Sequence, residues 1–101
     1  MKDAPTLGAG DVQLDEQRMV VTYKGEEVAL SPTEYALLRE LLRQKNRVRT
    51  RRQLEAEAMP DAESQSLDVH ISNLRKKVGS DTIRTVRGVG YVIDDQPKEE
   101  G

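Results

Sequence analysis

Two stretches of this 101-residue chain concentrate side chains able to do chemistry. Residues 83–92 read IRTVRGVGYV, in which Arg84, Thr85 and Arg87 alternate with β-branched residues beside a Gly-Val-Gly turn. A hairpin needing only solubility would spread its charges along an exposed edge. This one crowds its cations at the tip, where they can be offered to an anion. Residues 64–78, SQSLDVHISNLRKKV, carry the second set. At about 100° per residue, Leu67, Ile71, Leu74 and Val78 form one apolar stripe. The opposite face collects Gln65, Ser66, Val69, Ser72, Asn73 and Lys76, with His70, Arg75 and Lys77 on the flanks. A merely solvated helix favours Glu, Lys and Arg there. Short hydrogen-bonding groups around an exposed methyl surface suit base edges: asparagine can pair with adenine, serine with either partner type, valine with a thymine methyl. Arg75, Lys76 and Lys77 would then meet phosphates. Taken alone, this helix reads slightly better as an ordinary polar surface; the wing beside it tips the balance toward nucleic acid.

Catalysis finds little support. One histidine and no cysteine leave no nucleophile–base pair and no metal cluster around His70. The absence of cysteine also excludes a disulfide framework. No apolar run approaches the roughly 20 residues that span a bilayer, and MKDAPTLGAGD lacks the core of a signal peptide. A cytoplasmic protein without membrane contact or cofactor is expected.

Net charge is −2, which by itself argues against a polyanion partner. Its distribution argues otherwise. Residues 1–42 carry 4 basic and 8 acidic groups, residues 43–91 carry 11 and 6, and residues 92–101 carry 1 and 4. Screening acts over roughly 8 Å at physiological salt, so a ligand feels the local basic segment rather than the total.

Several elements must position these groups. Strand character appears at Val12 to Leu14, at Met19 to Tyr23 and at Glu27 to Leu30, with Lys24-Gly25 as a hairpin turn. The residues up to Gly10 read as linker or first strand. Ser31-Pro32-Thr33-Glu34 is a capping box opening a first helix, whose Leu37, Leu38, Leu41 and Leu42 share one face. Thr50-Arg51-Arg52-Gln53 opens a shorter one through Ala58, ended by Met59-Pro60. The third helix is expected from about Ser64 to Val78, stopped by Gly79, and the hairpin from Thr82 to Asp94. The fold class is therefore α+β: a small N-terminal antiparallel sheet, three helices as a helix-turn-helix, and a C-terminal hairpin wing. Residues 1–6 read as a linker remnant, 7–95 as the domain and 96–101 as a charged, disordered tail.

LSPTEYALLRELL, the TRRQL helix start, SLDVHISNLRKKVG and IRTVRGVGYVI together resemble the winged-helix output domain of OmpR/PhoB-type two-component response regulators. The resemblance implies double-stranded DNA as partner, the third helix in the major groove and Arg87 in the neighbouring minor groove. The outer-face residues Gln65, Ser66, Val69, Ser72 and Asn73 are then the expected base readers. Backbone contacts fall to Arg52, His70, Arg75, Lys76, Lys77 and Thr85, with His70 at the edge of the DNA face. Many family members carry arginine where this chain has Asn73, and often where it has Ser72, so an adenine or water-mediated contact replaces a guanine contact here. The resemblance further implies head-to-tail pairs on direct repeats, a monomer when free, a sensor kinase acting on a receiver domain outside these residues, and contact of the 57–63 loop with RNA polymerase.

From the residues alone, Arg84 reads equally as a salt-bridge or a DNA residue, and Arg87 has a hairpin-base ion pair as its alternative. Asp68 is expected to support Arg75 or a helix-terminal amide, Tyr91 to be core, and Gly88 and Gly90 to be turn residues. The chief rival function is a winged helix that binds protein, for example RNA polymerase, without reading DNA; it would favour an apolar outer face, where only Val69 stands. RNA or nonspecific binding would favour aromatic platforms, and the chain has 3 tyrosines and no Phe or Trp.

Overall fold

Local chemistry fixes the helix starts in the computed structural model, which describes residues 6–59 and 66–94. Ser31 caps α1 (Pro32–Arg43): its hydroxyl accepts from the Glu34 amide at 3.1 Å, and Glu34 Oε1 accepts from the Ser31 amide at 3.0 Å. Thr50 does the same for α2 (Arg51–Ala58), with Gln53 as the reciprocal partner at 3.0 and 2.9 Å. Each cap contributes about 1 kcal/mol by satisfying amides the helix cannot. The third helix, α3 (Leu67–Val78), is helical from Leu67, later than expected, because Ser66 is an extended N-cap residue. Its Ser66 carbonyl accepts the first helical amide bonds, but its hydroxyl makes no cap bond.

Ahead of α1 lie β1 (Thr6–Ala9), β2 (Val12–Asp15), β3 (Val20–Tyr23) and β4 (Glu26–Val28), an antiparallel sheet in chain order. Lys24 and Gly25 both have positive φ, 54° and 85°, the two-residue turn whose twist suits a hairpin. Met19 also has positive φ, which excludes it from β3 and shortens the expected strand. Of the residues up to Gly10, Thr6–Ala9 form β1 and pair with β2; residues 1–5 lie outside the described residues.

The wing holds β6 (Arg84–Val86) and β7 (Gly90–Val92), joined by β5 (Arg49–Thr50) in the order β5-β7-β6. Pairing of Thr50 with Gly90 brings the backbones so close that a Cβ at Gly90 would lie 1.9 Å from the Arg49 carbonyl oxygen. Gly90 is thus required by close approach, whereas Gly88, with φ of 75°, is the turn glycine.

The core gathers Leu37, Leu38, Leu41 and Leu42 of α1, Leu54 of α2, and the α3 stripe Leu67, Ile71, Leu74 and Val78, all at most 1% exposed. Val12, Leu14 and Val21 close it from the N-terminal sheet, and Ile83 and Ile93 from the wing. Burying each such side chain contributes about 2 kcal/mol, and their common centre sets α3 between α1 and the wing.

Candidate nucleic-acid interface

With its apolar stripe spent on the core, α3 turns Val69, Ser72 and Lys76 outward, with Asn73 partly exposed and Ser66 exposed at the start. Val69 is 40% exposed, too open for a core role. The side chains of Ser66, Ser72, Asn73 and Lys76 make no hydrogen bond or ion pair with the described residues. Gln65 lies outside the described residues.

At the wing tip, Arg87-Gly88-Val89 link β6 to β7, with the Val89 amide donating to the Val86 carbonyl at 3.0 Å. Arg87 is exposed and has no ion-pair partner among the described residues. The hairpin-base ion pair belongs to Arg84 instead: its Nε lies 2.7 Å from Asp94 Oδ2, and the carboxylate raises the Arg84 pKa. Val89, 45% exposed, adds an apolar group beside Arg87.

Four residues expected at phosphates are buried or have partners within the protein. His70 is only 7% exposed. It follows Leu67 by three and precedes Leu74 by four, so it falls within the buried stripe. Lys77 turns to α1, where Nζ donates to Glu34 Oε1 at 2.8 Å. Burial would raise the Glu34 pKa, but Lys77 and the Ser31 amide outweigh it and hold the carboxyl below its ordinary value. Arg75 serves the wing: Nε and Nη2 donate to the Ile83 carbonyl at 3.1 and 2.7 Å, and Nη2 to Thr85 Oγ1 at 2.7 Å. Thr85 therefore already accepts a bond from within the protein.

Arg52 is exposed in the first turn of α2 without a partner among the described residues. Arg47, which the sequence reading passed over, is exposed in the α1–β5 connection with its side chain equally unpartnered. Its neighbours are not: Arg43 pairs with Glu16, Arg49 with Glu40, and Lys45 donates to the Gly8 carbonyl. Only long-range partners separate free from engaged cations, and sequence carries no signal for them.

Asp68 supports neither Arg75 nor a helix-terminal amide. Its carboxylate takes two bonds from Arg51, at 2.6 and 3.3 Å, and one from the Tyr91 hydroxyl at 2.5 Å. Arg51 and then Tyr91 hold the Asp68 pKa below its ordinary value. Burial, followed by the Asp68 contact, pushes the Tyr91 pKa up. Of the expected 57–63 loop, Glu57 and Ala58 end α2 and Met59 is its C-cap; residues 60–63 lie outside the described residues. Among the described residues no helix is long and apolar enough to cross a membrane.

Residues 25–93 match the family described as transcriptional regulatory protein, C terminal. The response regulator protein PmrA of Pseudomonas aeruginosa is 46% identical over 93 residues, which are 89% of this chain and 42% of PmrA. The transcriptional regulatory protein QseB of Escherichia coli O157:H7 is 39% identical over 93 residues, with the same coverage, 89% and 42%. The chain thus spans about two fifths of the length of the curated relatives it matches. Among solved structures, the Klebsiella pneumoniae RstA DNA-binding domain in complex with the RstA box aligns with a TM-score of 0.78 at 30% identity, covering 91% of this chain and 99% of that one. The C-terminal effector domain of BfmR from Acinetobacter baumannii gives 0.85 at 27% identity, covering 99% of both chains. A winged helix with this sequence belongs to the OmpR/PhoB-type family of transcriptional regulators, as the C-terminal domain of a response regulator.

Proposed function

We propose that this domain binds double-stranded DNA sequence-specifically as the output element of a two-component transcriptional regulator in the cytoplasm. The outer face of α3 enters the major groove, with Val69, Ser72 and Asn73 against base edges and Lys76 on phosphate. The wing carries Arg87 into the adjacent minor groove, and Arg52 reaches the backbone from α2. The observation that supports this most is the sorting of the polar and charged groups. Arg75, Lys77 and Arg84 have hydrogen-bond partners within the protein, while Ser72, Lys76 and Arg87 stand exposed, and Asn73 partly exposed, without partners among the described residues. The RstA domain solved with its DNA box has the same fold.

Two copies occupy direct repeats head to tail, and the isolated domain is monomeric and binds more weakly than a tethered pair would. Phosphorylation by a sensor kinase acts on a receiver domain, and the 57–63 loop offers a surface to RNA polymerase.

Selection of bound duplexes from a random library, at low and moderate salt, tests the reading. Enrichment of a short directly repeated motif supports it and names the half-site. Uniform binding that vanishes with salt contradicts it, and the outer face of α3 would then be a protein-docking surface.

A further inference from the structure

Asp68 and Arg75 stand seven residues apart on α3, two helical turns, and so share a side of the helix. Both reach the wing. Asp68 Oδ1 accepts from the Tyr91 hydroxyl at 2.5 Å, and Arg75 donates to the Ile83 carbonyl and the Thr85 hydroxyl, each at 2.7 Å. The Arg75 guanidinium carbon also lies 5.7 Å from the centre of the Tyr91 ring. Tyr91 is therefore held twice by one helix, through its hydroxyl near the first turn and its ring near the third. Two attachments separated along a helix fix the tilt of the wing as well as its distance.

Arg51 completes the assembly from α2, with both Nη atoms on the Asp68 carboxylate at 2.6 and 3.3 Å. This pair is a weak stabiliser, since its side chains are 45% and 58% exposed. Arg51 also places a cation at the first residue of α2, the positive end of the helix dipole, which costs α2 stability. A bidentate contact is directional, however. What it contributes is orientation: α2, α3 and β7 meet at a single carboxylate.

We propose that Asp68 is a positioning residue which, with Arg51 and Tyr91, fixes the wing tip relative to the outer face of α3, so that Arg87 and Asn73 engage one duplex in register. The inference rests on the DNA-reading function proposed above. Asp68 and Tyr91 act here through α3 and β7, without contacting bases themselves.

Tyr91→Phe keeps the buried ring and removes only the hydroxyl. Binding is measured by fluorescence anisotropy on the library-enriched duplex and on a scrambled one, with the 101-residue chain. The expected result is about tenfold weaker binding to the enriched duplex and less than about a twofold change on the scrambled one. A second readout is the coupling between Asn73→Ala and Arg87→Ala. In the otherwise unaltered domain their losses are non-additive; with Tyr91→Phe they add. Asp68→Asn is expected to reproduce both effects. Equal weakening on the two duplexes, unchanged binding to the enriched one, or coupling that survives Tyr91→Phe would each overturn the inference alone. Failure of the unaltered domain to prefer any duplex would overturn the proposed function and this inference with it.

Discussion

Lys77, in the last turn of α3, donates to Glu34, in the first turn of α1, across 2.8 Å, so α3 is tied at its end to the cap of the helix behind it. The same carboxylate closes the capping box on the Ser31 amide. Glu34→Ala removes both bonds and is expected to cost about 2 kcal/mol in chemical denaturation. A loss no larger than that of an exposed helix residue would contradict the dual role.

The pH dependence of this contact has a definite sign. The folded-state pKa of Glu34 is lowered, so its contribution is present above the unfolded pKa of about 4.3 and is lost as pH falls through the folded value. Lys77→Met leaves a buried carboxylate without its cation. The destabilisation is expected to be largest near neutral pH, about 1 kcal/mol, and to shrink toward pH 3. Melting the two proteins across that range checks it; a pH-independent difference would remove Glu34 as the partner.

Gly90 and Gly88 separate two uses of glycine. At Gly88 a side chain meets nothing within 4 Å but must adopt a φ of 75°, so Gly88→Ala costs about 1 kcal/mol and leaves the wing in place. At Gly90 a methyl would collide with the Arg49 carbonyl, and Gly90→Ala is expected to cost more than about 3 kcal/mol by splitting β5 from β7. Thermal unfolding ranks the pair; equal losses would refute the distinction.

That contrast also shows what a sequence can carry. Capping boxes, the Lys24-Gly25 turn and the Leu67-Ile71-Leu74-Val78 stripe are short-range patterns, and each marks its element before any coordinates exist. The two-residue β5 has no pattern of its own; it exists because Thr50 meets Gly90 forty residues away. The same holds for the partners of Arg75, Lys77 and Asp68, which lie on other elements. The burial of His70 was legible too: its spacing to Leu67 and Leu74 puts it beside the buried stripe, where it is 7% exposed. Of the candidate interface, the outward position of Val69, Ser72 and Lys76 followed from helical period alone, whereas the residues left Arg87 open between the hairpin tip and an ion pair at its base.

His70 and Lys76 are expected to respond oppositely. His70→Ala is expected to lower stability by about 2 kcal/mol while leaving the salt dependence of DNA binding unchanged. Lys76→Ala leaves stability intact, weakens all duplexes alike and reduces the salt slope by about 1. Affinity titrations over a salt series separate them; a reduced slope for His70→Ala would make it a phosphate contact.

Asn73→Ala is expected to relax discrimination at one base pair by about 1–3 kcal/mol, while binding to random duplex changes little. Competition between duplexes differing at single positions reads this directly. Uniform loss at every position would remove Asn73 from base reading.

The most direct test of how α3 and the wing cooperate is amide chemical-shift mapping of the domain titrated with its enriched duplex. The expected perturbations concentrate at Val69, Ser72, Asn73 and Lys76 on α3 and at Arg87 to Val89 on the wing, saturating together at one domain per half-site. Perturbations confined to β1–β4, or present on α3 with the wing tip unmoved, would contradict a two-element grip on DNA.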